Sequence, residues 1–185
     1  MNLLAVNNTL ASLALAGGAA GLMVLAMMAM ARGRAFLQGE VWGHGRLLLA
    51  LAWSVSVVAT AGSLYYSEVV GFVPCLLCWY QRIAMYPLVF VLGVATLSGD
   101  ARAWRYALPL SLVGLLIAAY HVTIQFRPAV EVLACADDVP CTARYVSAFG
   151  FVSIPVMAGA GFILISALVL SARWAEGESA PEMEG

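Results

Sequence analysis

Five long apolar stretches follow one another along this chain, and they constrain its fold more than any other feature. Each contains about 20 mostly apolar residues, which is enough for a helix to cross the hydrocarbon core of a bilayer. A lone strand could not cross, because its backbone polar groups would lack partners in lipid. We therefore predict an all-α membrane protein. The predicted segments are 10–31, 47–66, 79–97, 106–124 and 149–172.

The composition supports a membrane environment. Of the 185 residues, 63% are hydrophobic and only 10% are charged, whereas a soluble domain carries about 25% charged residues. Too few charges remain to cover a water-facing surface, so lipid must cover much of the protein. The formal net charge is −1, and no basic patch indicates a nucleic-acid partner.

The distribution of arginine predicts an orientation, because cytoplasmic loops of membrane proteins carry the excess of basic residues. One side of the predicted bundle carries Arg32, Arg34, Arg46, Arg102, Arg105 and Arg173. The other side carries Arg82, Arg127 and Arg144. We therefore predict an outer N-terminus, a cytoplasmic C-terminus and two outer cysteine pairs. Disulfides persist in such oxidising compartments, including the bacterial periplasm.

The first segment has no basic stretch before it, so we predict a retained helix rather than a cleaved signal peptide. Gly17, Gly18 and Gly21 would let another helix approach closely, although loose packing against lipid explains them equally well. Three parts are predicted: an N-terminal transmembrane helix with a cytoplasmic linker over 1–44, a four-helix bundle over 45–173, and a disordered acidic tail over 174–185.

The run PCLLCWYQR, residues 74–82, begins the third segment and contains the first cysteine pair. Cys-x-x-Cys at a helix start is typical of thiol redox sites. Pro74 disfavours helix in the residue before it, so the helix should begin at or just after Pro74. The exposed amide groups of that first turn would stabilise a thiolate. Helical spacing predicts that Cys75, Cys78 and Arg82 lie along one face.

Three polar residues in the third and fourth segments have both a functional and a structural reading. Arg82 is either an anchor at the membrane interface or a cation facing an electron-rich oxygen or a thiolate beside Cys78. Gln81 either donates a further hydrogen bond there or packs between helices. His121, near the outer end of the fourth segment, either contacts a ligand or relays a proton, or is a satisfied interhelical histidine.

The second pair, Cys135 and Cys141, lies in the loop CADDVPC before the fifth segment. Closing so short a ring stabilises a fold by only about 2–2.5 kcal/mol in the chain-entropy model. For this pair we therefore favour thiol–disulfide exchange over a purely structural disulfide. Zinc or an iron–sulfur cluster is disfavoured, because the two pairs differ in spacing and one begins a membrane helix. Pro155, inside the fifth segment, is a position where a helix can kink.

The run PCLLCWYQRIAMYPL resembles the signature of the DsbB family of membrane thiol oxidases, especially its BdbC-like branch. The runs YHVTIQ and PCTARYVSAFGFVSIPVMA extend the resemblance over about residues 45–172. The resemblance implies a four-helix transmembrane bundle with one extra N-terminal helix here. It also implies a disulfide-generating protein-disulfide:quinone oxidoreductase in the bacterial inner membrane.

The resemblance assigns roles to the cysteines. It implies that Cys75 and Cys78 pass electrons to a bound quinone, either ubiquinone or menaquinone, with Cys78 nearest the ring. Cys135 would exchange with a DsbA-like thioredoxin-fold partner, and Cys141 would then exchange with Cys75. Arg82 matches the family arginine beside the quinone.

The resemblance also implies that His121 lies on the ligand side, and Gln81, next to Arg82, is a further candidate for binding the cofactor. The chain departs from the family pattern in its extra first helix and in a second pair only six positions apart, which leaves little room for Cys135 to swing. Two alternatives remain open: a non-catalytic membrane scaffold stapled by disulfides, and a quinone reductase resembling vitamin K epoxide reductase.

Overall fold

The computed structural model describes residues 2–40, 44–130 and 139–178, and this part of the chain is all-α, as predicted. Five of its helices, all but α2, are long and apolar enough to cross a membrane. The helices are α1 (Leu3–Ala29), α2 (Ala31–Glu40), α3 (Gly45–Leu64), α4 (Leu76–Ser98), α5 (Trp104–Phe126) and α6 (Ile154–Glu178). A π-helical turn, Tyr65–Val69, continues α3.

Helices α3 to α6 form an up-and-down four-helix bundle in which each helix packs on two neighbours. Its core contains Leu88 and Leu92 of α4 and Phe162 and Ile165 of α6, all fully buried. Gly114 of α5 makes room for Phe162, because a Cβ atom at that position would overlap the phenylalanine ring. Close packing of large against small side chains is how helices associate where lipid provides no hydrophobic driving force.

Helix α1 lies outside this bundle and packs along α6. A Cβ atom added to Gly18 would lie 2.9 Å from the Cβ of Ala160, and one added to Gly21 would lie 2.9 Å from the Cα of Leu164. The glycines therefore allow another helix to approach closely, and the reading as loose packing against lipid is wrong. Near the start of α1, Asn7 Oδ1 accepts a hydrogen bond from the Tyr66 hydroxyl at 2.9 Å.

The helix boundaries differ from the predicted ones at two helix starts. Helix α1 already begins at Leu3, where the Asn2 side chain accepts a hydrogen bond from the Leu4 amide at 3.1 Å. Helix α6 begins only at Ile154, because left-handed residues Phe149 (φ 53) and Gly150 (φ 82) form a tight turn before it. Pro155 therefore lies in the first turn of α6, where proline fits without a kink.

The segments outside the bundle contain more helix than the sequence suggested. Helix α2 occupies much of the predicted cytoplasmic linker, and Leu37 is buried there against Met28 and Ala175. Helix α6 continues to Glu178, into the stretch predicted to be a disordered acidic tail. The rest of that tail, residues 179–185, lies outside the described residues.

The alternation of helix directions gives the bundle an arginine-rich end and a cysteine end. At the arginine-rich end, Arg46 donates to the carbonyl oxygens of Thr96 and Leu97 at 3.1 and 3.2 Å. The Arg173 guanidinium stacks there on Trp104 at 4.1 Å. Cys75, Cys78 and Cys141 lie at the opposite end, where α4 begins and where the chain leads into α6. Which end faces outward stays a prediction from the positive-inside rule.

Candidate thiol redox site and adjoining cavity

The first cysteine pair lies at the start of α4, as the sequence predicted. Cys75 is the N-cap residue, with extended backbone (φ −70, ψ 171), and its sulfur accepts from the Cys78 amide at 3.4 Å. The helix itself begins at Leu76, two residues after Pro74. Unpaired amide groups of a first helical turn carry partial positive charge. This end of α4 can therefore stabilise negative charge on sulfur.

Cys75 and Cys78 are free thiols whose Sγ atoms are 2.9 Å apart, so oxidation to a disulfide needs little movement. Their surroundings differ, which qualifies the prediction of one common face. Cys78 and Arg82 both line the same cavity. Cys75 is buried away from that cavity, against Ile124 of α5.

His121 of α5 links the two cysteine regions. Its Nε2 lies 2.9 Å from the carbonyl oxygen of Cys141, and a carbonyl can only accept, so Nε2 carries a proton. Its Nδ1 lies 3.2 Å from the Gln81 side-chain nitrogen and accepts from it. The same Nε2 is 3.8 Å from the Cys75 sulfur. His121 is thus a fully satisfied interhelical histidine that also holds groups of both pairs.

Cys141 is disulfide-bonded and fully buried. It belongs to the same buried cluster as Cys75, together with Leu77 and Ile124. The structure therefore brings one cysteine of each pair into a common, water-excluded region. Cys135 lies outside the described residues, so its position and its predicted role stay predictions.

Gln125, one helical turn after His121, fastens the loop that carries Cys141. Its Oε1 accepts from the Ser153 hydroxyl at 2.7 Å, and its Nε2 donates to the Ala143 carbonyl at 3.2 Å. Arg144 donates to the Gln125 carbonyl at 2.8 Å. The sequence assigned Gln125 no role. Its spacing of four residues from His121, near a helix end, is the signal that points to it.

Arg82 is buried in the wall of the cavity and is held by Ser63 of α3. Its Nε donates to the Ser63 hydroxyl and its Nη2 to the Ser63 carbonyl, both at 3.0 Å. Its guanidinium carbon lies 5.1 Å from the centre of the Trp79 ring. No carboxylate of the described residues forms an ion pair with it. Buried arginines are almost always paired, so this guanidinium has donors and charge available for a further partner.

The cavity beside these residues has a volume of about 520 Å³ and lies between α1, α3, α4 and α6. This is within the range of roughly 300–1,000 Å³ that small-molecule sites occupy. Polar groups cluster where it meets the start of α4, and mostly apolar side chains line the remainder, with Ser54 as a polar exception. The polar set is Ser63, Ser67, Cys78, Gln81, Arg82 and Tyr86. His121 lies behind Gln81 and does not line the cavity.

The sulfurs of Cys75 and Cys78 and a ring nitrogen of His121 lie within 4.8 Å of one another, a spacing that a metal ion could use. Metal binding would require an unprotonated ring nitrogen. Here Nε2 donates its proton to the Cys141 carbonyl and Nδ1 accepts from Gln81. The donor set fits thiol chemistry better, and the absence of a metal stays a prediction.

The acidity of Cys75 gives a testable pH dependence. The hydrogen bond from the Cys78 thiol, supported by His121 and opposed by burial, lowers the pKa of Cys75 to about 4. Because the pKa is lowered, the thiolate is present at neutral pH and is lost only as the pH falls through about 4. An ordinary cysteine would lose it near about pH 8.5.

We expect the ultraviolet thiolate absorbance of the reduced protein to stay constant from about pH 8 to about pH 6 and to fall below about pH 5. The Cys75→Ser variant supplies the baseline for subtraction. A titration midpoint near the ordinary thiol value would contradict the hydrogen-bonded thiolate.

The chain is similar to known disulfide bond formation proteins. Residues 45–172 match the family model described as disulfide bond formation protein DsbB. The chain is 46% identical over 120 residues to disulfide bond formation protein C of Bacillus subtilis, covering 64% of this chain and 87% of that protein. No solved structure matches.

Two further relatives show the same extent of similarity. The chain is 49% identical over 119 residues to probable disulfide formation protein C 1 of Bacillus cereus, covering 64% of this chain and 86% of the relative. It is 48% identical over 128 residues to a probable disulfide formation protein of Oceanobacillus iheyensis, covering 66% and 86%. The family match begins at the start of α3, so α1 and α2 lie outside it.

Proposed function

Because the chain belongs to the DsbB family of disulfide bond formation proteins, we propose that it reoxidises a DsbA-like thioredoxin-fold partner and passes the electrons to a membrane quinone. Membership of the family and the five apolar helices already make it a multi-pass membrane protein with a redox role in disulfide bond formation. The partner, the quinone and the roles of single residues are the proposal.

The proposed exchange with the partner begins at the second pair. A partner thiolate attacks the Cys135 sulfur and breaks its bond to Cys141. The second partner thiol then attacks the mixed disulfide, so the partner leaves oxidised and the second pair stays reduced. Cys141 is fully buried, which supports Cys135 as the sulfur that the partner reaches.

Exchange between the pairs follows. Cys141 attacks Cys75 of the oxidised first pair and displaces Cys78 as a thiolate. Cys135 then attacks Cys141, which restores the second disulfide and releases Cys75, so the first pair now holds both electrons. The shared buried cluster of Cys75 and Cys141 supports this route. His121 is proposed as a positioning residue, because it holds the Cys141 carbonyl and lies beside the Cys75 sulfur.

The cavity fits a quinone at its polar end. Quinone oxygens accept hydrogen bonds, and Arg82 offers a guanidinium with unused donors and no carboxylate partner among the described residues. Gln81 lines the same wall, with its amide oriented by His121. A quinone bound there would supply a two-electron, two-proton acceptor, which leaves the Cys75–Cys78 disulfide re-formed.

One observation carries the proposal: Cys78 lines the cavity with Arg82, while its neighbour Cys75 is buried with Cys141. The first pair thus connects Cys141 to the cavity. A scaffold stapled by disulfides would not need a thiol pair at that junction. Neither would it need a buried arginine without an acidic partner beside one of the thiols.

Trapping of the partner tests the exchange step. In Cys141→Ser, the Cys135 thiolate attacks the disulfide of the oxidised thioredoxin-fold partner and displaces one partner thiol. No Cys141 remains to release the adduct, so the mixed disulfide should accumulate and be preserved when membranes are treated with acid and alkylated. Non-reducing electrophoresis followed by mass spectrometry of the adduct is the measurement. Cys135→Ser with Cys141→Ser is the matched control and should give no adduct through this loop. Reproducible absence of an adduct in the single variant would favour the scaffold.

A further inference from the structure

We propose that α1 forms a wall of the quinone cavity and holds the apolar prenyl tail of the quinone between itself, α3 and α6. This inference rests on the proposed function, because it names the occupant of the same cavity beyond its polar end. It gives a role to the helix that lies outside the family match.

The position of α1 over the cavity is fixed at two separate places. Gly18 and Gly21 bring it against the backbone of α6, where added Cβ atoms would come within 2.9 Å of Ala160 and Leu164. At the cysteine end, Asn7 accepts the hydrogen bond of Tyr66, which continues α3. A helix that was only a membrane anchor would not need contacts to both sides of one cavity.

The cavity is far longer than its polar end. Its lining runs along α3 and the following turn from Leu51 to Ser67, about 24 Å at the rise of an α-helix. On α6 it runs from Ile154 to Leu168, about 21 Å by the same rise. A ring headgroup beside Cys78 would leave most of this length unfilled. The remaining length needs an extended apolar occupant.

Helix α1 supplies part of that apolar length through Leu10, Leu13, Ala14 and Gly17. The helix packs on α6 but forms no extended packing with α3, so a cleft separates α1 from α3. Lining residues on both rims face outward: Leu13 of α1 is 60% exposed, and Val58 of α3 is 52% exposed. In a membrane this cleft opens toward lipid.

These features select one occupant. It must be apolar and long, reach the cavity from lipid, and be continuous with the headgroup site at Cys78 and Arg82. A polyprenyl chain attached to a quinone meets all four requirements. A lipid acyl chain is also apolar and long and can enter from lipid, but it is not attached to a headgroup at Cys78 and Arg82. Probes with and without a tail distinguish the two occupants.

A cavity-filling substitution on α1 tests the inference. In Ala14→Phe the larger side chain should occupy the tail region while the headgroup site stays intact. The matched control is Ala16→Phe, which makes the same change at an exposed position of α1 that does not line the cavity. The probes are menadione, which has no tail, and menaquinone-4, which has the same ring with a prenyl tail. A benzoquinone pair with and without a decyl tail is measured in parallel.

The measurement is equilibrium binding of each probe to purified full-length protein in detergent, and quenching of tryptophan fluorescence reports the bound fraction. We expect Ala14→Phe to weaken binding of the tailed probe at least about tenfold and that of the tail-less probe less than about twofold, because only the tailed probe loses buried apolar contact. Ala16→Phe should bind both probes like the wild type.

A second variant tests the docking of α1. Gly21→Leu forces α1 away from the Leu164 backbone and should also weaken binding of the tailed probe more than that of the tail-less probe. Ala20→Leu, at an exposed site of α1, is the control and should bind both probes like the wild type. If Ala14→Phe and Gly21→Leu weaken binding of both probes equally, the inference is overturned, and α1 has only a general structural role. Wild-type-like binding of the tailed probe would also overturn it and would leave the cleft to lipid chains. If the wild type binds neither probe of either pair, the proposed function fails, and the inference with it.

Discussion

Cys78→Ser should lower quinone-dependent oxidation of the partner at least about a thousandfold, because serine cannot form the disulfide through which the electrons leave. Cys78 is the cysteine of the first pair that lines the cavity, and Cys75 is buried away from it. The measurement is the rate of loss of quinone absorbance in detergent, with a reduced thioredoxin-fold protein as the electron donor.

Loss of folding must be separated from loss of chemistry in this variant. Cys78→Ser keeps Arg82 and Gln81, so it should bind quinone with nearly unchanged affinity. Ile83→Ala, on the lipid-exposed side of α4, is the matched control and should turn over like the wild type. Turnover near the wild-type rate in Cys78→Ser would remove Cys78 from the electron route and with it the proposed mechanism.

Arg82→Met should weaken quinone binding by about 10- to 100-fold. A hydrogen bond from a charged group contributes about 1.5–3 kcal/mol, and each 1.4 kcal/mol changes affinity about tenfold. The effect should appear in the dissociation constant and in the apparent KM for quinone. Arg82→Lys should recover only part of the loss, because an ammonium keeps the charge but lacks the planar fork that Ser63 holds.

The control for this variant is Arg102→Met, which removes an exposed arginine at the opposite end of the bundle. It should bind quinone like the wild type. If Arg82→Met and the wild type bind with the same dissociation constant, Arg82 is the interfacial anchor that its sequence position also allows. Its hydrogen bonds to Ser63 and its stacking on Trp79 would then serve only to hold it in place.

Much of the fold could be predicted from the sequence, because length and apolarity alone decide what can cross a bilayer. The start of α4 was also predictable, since Pro74 restricts the residue before it and Cys75 then caps the helix. The start of α6 was not. Phe149 and Gly150 adopt left-handed backbone conformations and form a turn, but they lie in an apolar stretch that reads like the beginning of a helix.

The candidate site was predictable where it depends on spacing within one helix. Cys78 and Arg82 share a wall of the cavity because they are four residues apart on α4. Contacts between helices were not predictable in this way. Ser63 holds Arg82 from α3, and Gln125 fastens the Cys141 loop from α5. Such partners depend on how helices rotate against each other, which no local pattern of one chain determines.

The role of α1 shows the same limit. Its glycines indicated that it could approach another helix, but the sequence did not say which helix or what would lie between them. In the structure they bring α1 against α6, and this places Leu10, Leu13 and Ala14 in the cavity wall. A segment that matches no part of the family model can thus belong to the same site as the matched cysteines.

The central claim is that both electrons of the first pair leave through the cavity to a quinone, and an anaerobic single turnover tests it most directly. The Cys135→Ser, Cys141→Ser double variant keeps Cys75 and Cys78 as its only cysteines. It is fully reduced and mixed with one equivalent of tailed quinone, and loss of quinone absorbance is compared with loss of free thiols at Cys75 and Cys78. The proposed mechanism predicts one quinone reduced for each Cys75–Cys78 disulfide formed. Thiols that stay reduced, or that oxidise while the quinone absorbance remains unchanged, would contradict it.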